Sequence, residues 1–190
     1  GKDFSGETAR LIDFPGEIRR KWPYLAARLG DRPDDRKFFE RVAESIASKL
    51  EEVYSRGVPF GPIHGDVHTK NIFVTADDSF AFLDFDTCGQ AHLLHDVMSL
   101  AWANTYHIEC GNTDLTTAVT EAFMNGYEDA RPLDQFEVSL LPLFMASKEF
   151  SYMCGMSEGV RYVGHMSFGP QHFDWISKSV RKHVEEAGLM

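Results

Sequence analysis

Residues 61–89 read GPIHGDVHTKNIFVTADDSFAFLDFDTCG, and this stretch decides the fold. Two short β-rich runs, Asn71–Thr75 and Phe80–Phe85, flank the polar turn Ala76-Asp77-Asp78-Ser79, so the spacing predicts a small hairpin with a loop before it. The loop carries His64-Gly65-Asp66, His68 and Asn71; the far end of the hairpin carries Asp84-Phe85-Asp86. Because the turn brings the chain back, Asp84 ends beside Asn71. One carboxylate can then face a substrate hydroxyl while an amide oxygen and a second carboxylate hold Mg2+, a hard cation that favours oxygen ligands.

Outward from this stretch the texture is helical. Upstream, Phe39, Val42, Ile46, Leu50 and Val53 recur at three- and four-residue steps, an amphipathic helix that Asp34 and Asp35 can cap and that ends before Gly57-Val58-Pro59. Residues 1–33 mix charge with proline and glycine and read as a lead-in or linker with one short helix, Glu17 to Leu29. Downstream come helical runs from His92, from a cap at Thr113, over LDQFEVSLLPLFMASKEFSYMCGM, where Pro142 should kink or divide the helix, and near Phe173 to Glu186. Between Gly155 and Gln171 the sequence reads as a connection. The expected fold class is α+β and mostly helical, with the helical body over residues 34–190.

Composition sets the outer limits. The 190 residues are 43% hydrophobic and 25% charged, enough to bury a core in one domain or one large lobe. A net charge of −10 opposes nucleic acid and anionic lipid surfaces. No apolar run approaches the roughly 20 residues that span a bilayer, and no signal core opens the chain, so the reading is a soluble, cytoplasmic protein without a membrane partner. Cys88, Cys110 and Cys154 fit neither a disulfide framework nor a zinc site and are expected as buried thiols. Gly1 in place of a methionine suits a cloned segment or a processed product.

HGDVHTKN followed by FLDFD resembles the catalytic and metal-binding segments of the aminoglycoside phosphotransferase and choline kinase superfamily, small-molecule relatives of protein kinases. The resemblance implies the C-terminal lobe of a protein-kinase-like fold, with the catalytic loop at 64–71 and the metal-binding segment at 83–86. It implies Asp66 as the catalytic base, Asn71 and Asp84 as Mg2+ ligands, and Asp96 in LLHDVMSLA as a buttress of the loop, with His64 in a supporting role. His68, Lys70 and Asp86 are candidate phosphate or acceptor contacts. The implied reaction is ATP-dependent phosphorylation of a hydroxyl on a small metabolite or aminoglycoside-like acceptor. Relatives sharing these motifs handle aminoglycosides, choline, homoserine and sugars, because the motif serves the phosphoryl group rather than the acceptor.

One departure is an absence: no Gly-rich phosphate loop, no strand lysine and no partner glutamate stand before residue 60, so the nucleotide-covering N-terminal lobe is missing. An alternative reading follows, a catalytically incomplete kinase-derived lobe acting as a binding module, with self-association through an exposed lobe interface. Blander readings stand beside the sharp ones: His64 and His68 could mimic a zinc pair, Lys70 and Asp86 could be solvated, and Trp102, Tyr106, Phe150, Tyr152 and Trp175 could wall an acceptor pocket or pack a core.

Overall fold

The computed structural model describes residues 10–106, 113–163 and 170–190, and the chain divides into two compact units. One unit, residues 13–58 and 133–190, is built of four helices: α1 (Phe14–Arg28), α2 (Pro33–Ser55), α5 (Gln135–Val163) and α6 (Pro170–Glu186). The other, residues 1–12 and 59–132, holds the strands β1 (Phe60–Ile63), β2 (Ile72–Val74), β3 (Phe80–Phe82) and β4 (Gly89–His92), with the helices α3 (Leu94–Tyr106) and α4 (Thr113–Ala130). The α+β, mostly helical class is as expected.

In the four-helix unit the apolar period of α2 buries Phe39, Val42, Ile46, Leu50 and Val53. Its start differs from expectation: Pro33 stands in the first turn and pre-sets the helical φ, so Asp34 and Asp35 fall inside the helix and no side chain caps it. Asp35 instead accepts from Arg181 at 2.6 Å, while that guanidinium lies 3.8 Å from the centre of the Phe38 ring. The segment read as a lead-in contains α1, capped by Asp13, whose carboxylate accepts from the Gly16 amide at 3.0 Å. Its Ile18, Leu25 and Ala26 are buried, and Trp22 stacks on Phe150 of α5. Residues 14–28 are thus part of a core and not a tether.

Helix α5 opens on a reciprocal cap, the Glu137 amide donating to Asp134 and the Asp134 amide to Glu137. Pro142 neither ends nor divides it, and the helix runs on to Val163 through the stretch read as a connection; residues 164–169 of that stretch lie outside the described residues. Burial pushes the Cys154 thiol well up, which suits an inert core cysteine. Cys88 is exposed, contrary to expectation, and Cys110 lies outside the described residues.

In the second unit β2 and β3 form the expected hairpin, with Ile72 opposite Phe82 and Val74 opposite Phe80. It is shorter than the two runs suggested. Asp78 adopts φ 59°, a left-handed turn conformation that aspartate tolerates, and the Thr75 hydroxyl helps hold the Asp77 carboxyl below its ordinary range. A second antiparallel pair, β1 with β4, has no counterpart in the sequence reading. It is extended by Leu11, whose neighbours Arg10 and Ile12 bond to the backbone of Gln90.

Two outcomes test this description. Leu25→Ala should destabilise the protein by about 2–5 kcal/mol, as for other fully buried leucines, and a change within about 0.5 kcal/mol would return α1 to the status of a linker. The Arg19 guanidinium, bonded to Glu44 and Glu51, holds the Glu44 carboxyl down to about 2 with help from the Ser48 hydroxyl. A depressed carboxyl stabilises the fold above its unfolded value of 4.5 and loses that contribution as pH falls toward about 2. The gap in urea midpoint between wild type and Arg19→Met should therefore close over that range; a gap independent of pH would remove the ion pair as its cause.

Candidate active site

The loop begins where β1 ends, and its first two amides are the ones a tight turn leaves without backbone partners. The His64 amide donates to Asp96 Oδ2 at 2.6 Å and the Gly65 amide to Asp96 Oδ1 at 2.8 Å. Asp96 lies in the first turn of α3, where the positive end of the helix dipole favours a carboxylate. Gly65 sits at φ 84°, and a Cβ there would stand 2.6 Å from the Thr87 carbonyl oxygen. Glycine is therefore required twice, for its conformation and for its lack of bulk.

His64 links the loop to the segment after the hairpin. The Asp66 amide can only donate, so Nδ1, 3.3 Å away, is the acceptor, and Nε2 carries the hydrogen that is donated to the Leu83 carbonyl at 2.8 Å. Its ring lies against Phe85, with centroids 4.5 Å apart. Thr87 returns the link by donating from its hydroxyl to the His64 carbonyl at 3.1 Å. Sequence reasoning passed over Thr87, and the only signal for it is the small residue, Gly65, that makes room for its backbone.

Asn71 is buried at the other end of the loop. Its Nδ2 donates to the Asp66 carbonyl at 3.1 Å, its amide donates to the His68 carbonyl at 2.9 Å, and its own carbonyl accepts from the Leu83 amide at 2.9 Å. The next residue, Asp84, is exposed and takes φ 64°. His68 caps the short 3-10 turn Thr69–Asn71, its Nδ1 accepting from the Lys70 amide at 3.2 Å, and its Nε2 stands 3.4 Å from Asp66 Oδ2. Thus His64, Asp66, His68, Asn71 and Asp96 form one bonded set, with Asp84 one residue beyond it. Lys70 and Asp86 are exposed; the ties they make are through backbone, the Lys70 amide to His68 and the Asp86 carbonyl to Arg10 at 3.4 Å.

This donor set fits a hard divalent cation. The Asn71 nitrogen is committed to the Asp66 carbonyl, which leaves its oxygen for a ligand, and Asp84 offers an exposed carboxylate. A paired-histidine zinc site does not fit, since Nδ1 and Nε2 of His64 and Nδ1 of His68 are already bonded within the chain. Among the described residues no group of three or more His, Cys, Asp or Glu is arranged to hold a metal ion by itself. Of the aromatic residues singled out from sequence, Phe150 is fully buried in the four-helix unit and Trp102 is buried on α3, while the Tyr106 side chain lies outside the described residues. An apolar groove of about 680 Å³ lies between the hairpin, α3 and α4, lined by Phe80, Phe82, Leu100, Phe123 and Tyr127.

Gly57→Ala offers a control for the loop, because Gly57 has φ 83° but open space around it. That change should cost the left-handed strain alone, about 1–2 kcal/mol. Gly65→Ala adds the collision with Thr87 and should lower stability further; equal losses in urea titration would show that the loop yields without resistance.

The model of the phosphotransferase enzyme family matches residues 3–133. A homoserine kinase of Methylobacterium sp. (strain 4-46) is 29% identical over 167 residues, covering 80% of this chain and 49% of that protein. A homoserine kinase of Sinorhizobium fredii is 32% identical over 144 residues, covering 75% and 42%. An uncharacterized protein of Deinococcus radiodurans is 24% identical over 147 residues, covering 77% and 42%. The chain spans less than half the length of these relatives. With the matched residues including the whole of the loop, the hairpin and Asp96, the chain belongs to the phosphotransferase enzyme family.

Proposed function

We propose that this chain carries the catalytic centre of an ATP-dependent small-molecule kinase and corresponds to the C-terminal lobe of a protein-kinase-like fold. The observation that carries the reading is the bonding of Asn71 to the Asp66 backbone beside Asp84, in a chain of this family. Asp66 receives the proton of the acceptor hydroxyl as its oxygen attacks the γ-phosphorus; the new P–O bond forms as the bond to ADP breaks. Asn71 and Asp84 hold Mg2+, which when bound neutralises charge on the phosphates. Asp96 and His64 keep the loop in place and touch no reactant. Relatives named homoserine kinase make homoserine, a primary alcohol on an amino acid, the first acceptor to try.

The test is Mg2+-dependent ADP formation by the chain together with any sequence naturally contiguous with it, against a panel of hydroxyl compounds beginning with homoserine. Asp66→Asn should lower kcat by about 100-fold or more, the usual contribution of a positioned general base. Asp84→Ala should abolish Mg2+-dependent nucleotide binding. Nucleotide binding without turnover on any acceptor would favour a non-catalytic binding module instead.

A further inference from the structure

We propose that His68 is a positioning residue, its Nε2–H holding the Asp66 carboxylate in the orientation that meets the acceptor hydroxyl. The inference rests on the kinase reading above, and it assigns His68 a task other than contact with phosphate. Three observations carry it.

The tautomer is set by the chain itself. A backbone amide can only donate, so the Lys70 N–H at 3.2 Å makes Nδ1 of His68 an acceptor and leaves the hydrogen of the neutral ring on Nε2. The Nε2 atom stands 3.4 Å from Asp66 Oδ2, an electrostatic contact that is not yet a hydrogen bond. Catalytic contacts of this kind commonly tighten when a reactant binds. The backbone of His68 is fixed as well: it is extended, at φ −155° and ψ 165°, and its carbonyl accepts from the Asn71 amide at 2.9 Å. Ring and backbone are thus both anchored to the turn that presents Asn71.

The consequence concerns Asp66 alone. Its backbone is tied by Asn71 and by His64, and at a partly exposed position each added contact on a carboxylate oxygen narrows the rotation about its last bond. The anchored His68 ring, two residues away, adds such a contact on Oδ2. His68 keeps its proton throughout; the acceptor's proton moves to Asp66 and nowhere further.

Two measurements test it, one independent of turnover. In nitrogen-15 NMR of the chain, neutral His68 should show the Nε2–H tautomer, and a predominant Nδ1–H form overturns the proposal. In the kinase assay, His68→Asn keeps an acceptor for the Lys70 amide but loses the donor to Asp66. It should lower kcat by roughly 10- to 100-fold with KM for ATP within about twofold, the scale seen when a supporting partner of a reactive group is removed. His68→Gln, whose amide nitrogen reaches the place of Nε2, should recover at least half of that loss on a logarithmic scale. A raised KM for ATP with kcat retained would make His68 a phosphate contact and overturn the proposal. So would an active Asn variant beside an impaired Gln variant, which would leave only the cap. Wild-type silence across the acceptor panel overturns the kinase reading itself, whereas turnover lost in Asp66→Asn but indifferent to His68→Asn overturns this assignment alone.

Discussion

The carboxylate of Asp96 on the amides of His64 and Gly65 is the constraint from which the rest of the loop follows. A turn that enters the left-handed region at Gly65 cannot direct its first two N–H groups into a sheet or helix ladder, and leaving two amides unsatisfied in a part-buried place costs about 1–3 kcal/mol each. An ionised carboxylate answers both at once and adds charge to each bond. Its position is not adjustable, because α3 is seated by Leu94, Val97, Met98 and Leu100, all buried. The loop is therefore fastened to the core of its unit through one side chain, and Asp66 inherits that fixity one residue later.

The segment after the hairpin is fastened to the loop rather than to the core. Leu83 bonds through its carbonyl to His64 and through its amide to Asn71, and Thr87 bonds to the His64 carbonyl. Between these points Asp84 stands at φ 64°, a conformation that costs a non-glycine residue about 1–2 kcal/mol. Strain of this kind persists where neighbours over-determine the backbone, and three bonds within five residues do so here. Asp84 is thus presented by the same loop that presents Asp66 and Asn71, so the relative placement of the three depends on one local network.

Much of this was legible, for identifiable reasons. The period of α2 and the turn between β2 and β3 are written in side-chain chemistry, apolar steps in one and Ala76-Asp77-Asp78-Ser79 in the other, and both read directly. The pairing of β1 with β4 was not legible, because Phe60-Gly61-Pro62-Ile63 and Gly89-Gln90-Ala91-His92 show no alternation and are held by backbone bonds. Pro142 misled because a proline early in a 29-residue helix removes one bond, while Leu143, Phe144 and Ala146 beside it are buried. Within the site, His64, Asp66, His68 and Asn71, close in sequence, are joined by short-range contacts. Thr87, and the tautomers of His64 and His68, escaped because they depend on backbone donors and acceptors that leave no mark on residue type.

The same distinction separates what this site says about phosphate from what it says about the acceptor. The loop's bonds join Asp96 to the His64 and Gly65 amides, His64 to the Asp66 amide and the Leu83 carbonyl, and Asn71 to the Asp66 carbonyl; on the kinase reading proposed above they fix the groups that meet the phosphoryl group, which relatives with different acceptors can share. On that reading the acceptor is chosen by surfaces outside that network. The apolar groove beneath the hairpin is bounded by α4, whose Phe123 and Tyr127 line it and take no part in the loop bonds named above. Selectivity between hydroxyl compounds of similar size amounts to only about 1–3 kcal/mol per methylene in an apolar pocket, far more when a buried polar group is left unpaired. A preference for a charged amino acid over a sugar would thus require fixed polar partners for its ammonium and carboxylate, a demand that falls on side chains not already committed to the loop's own bonds.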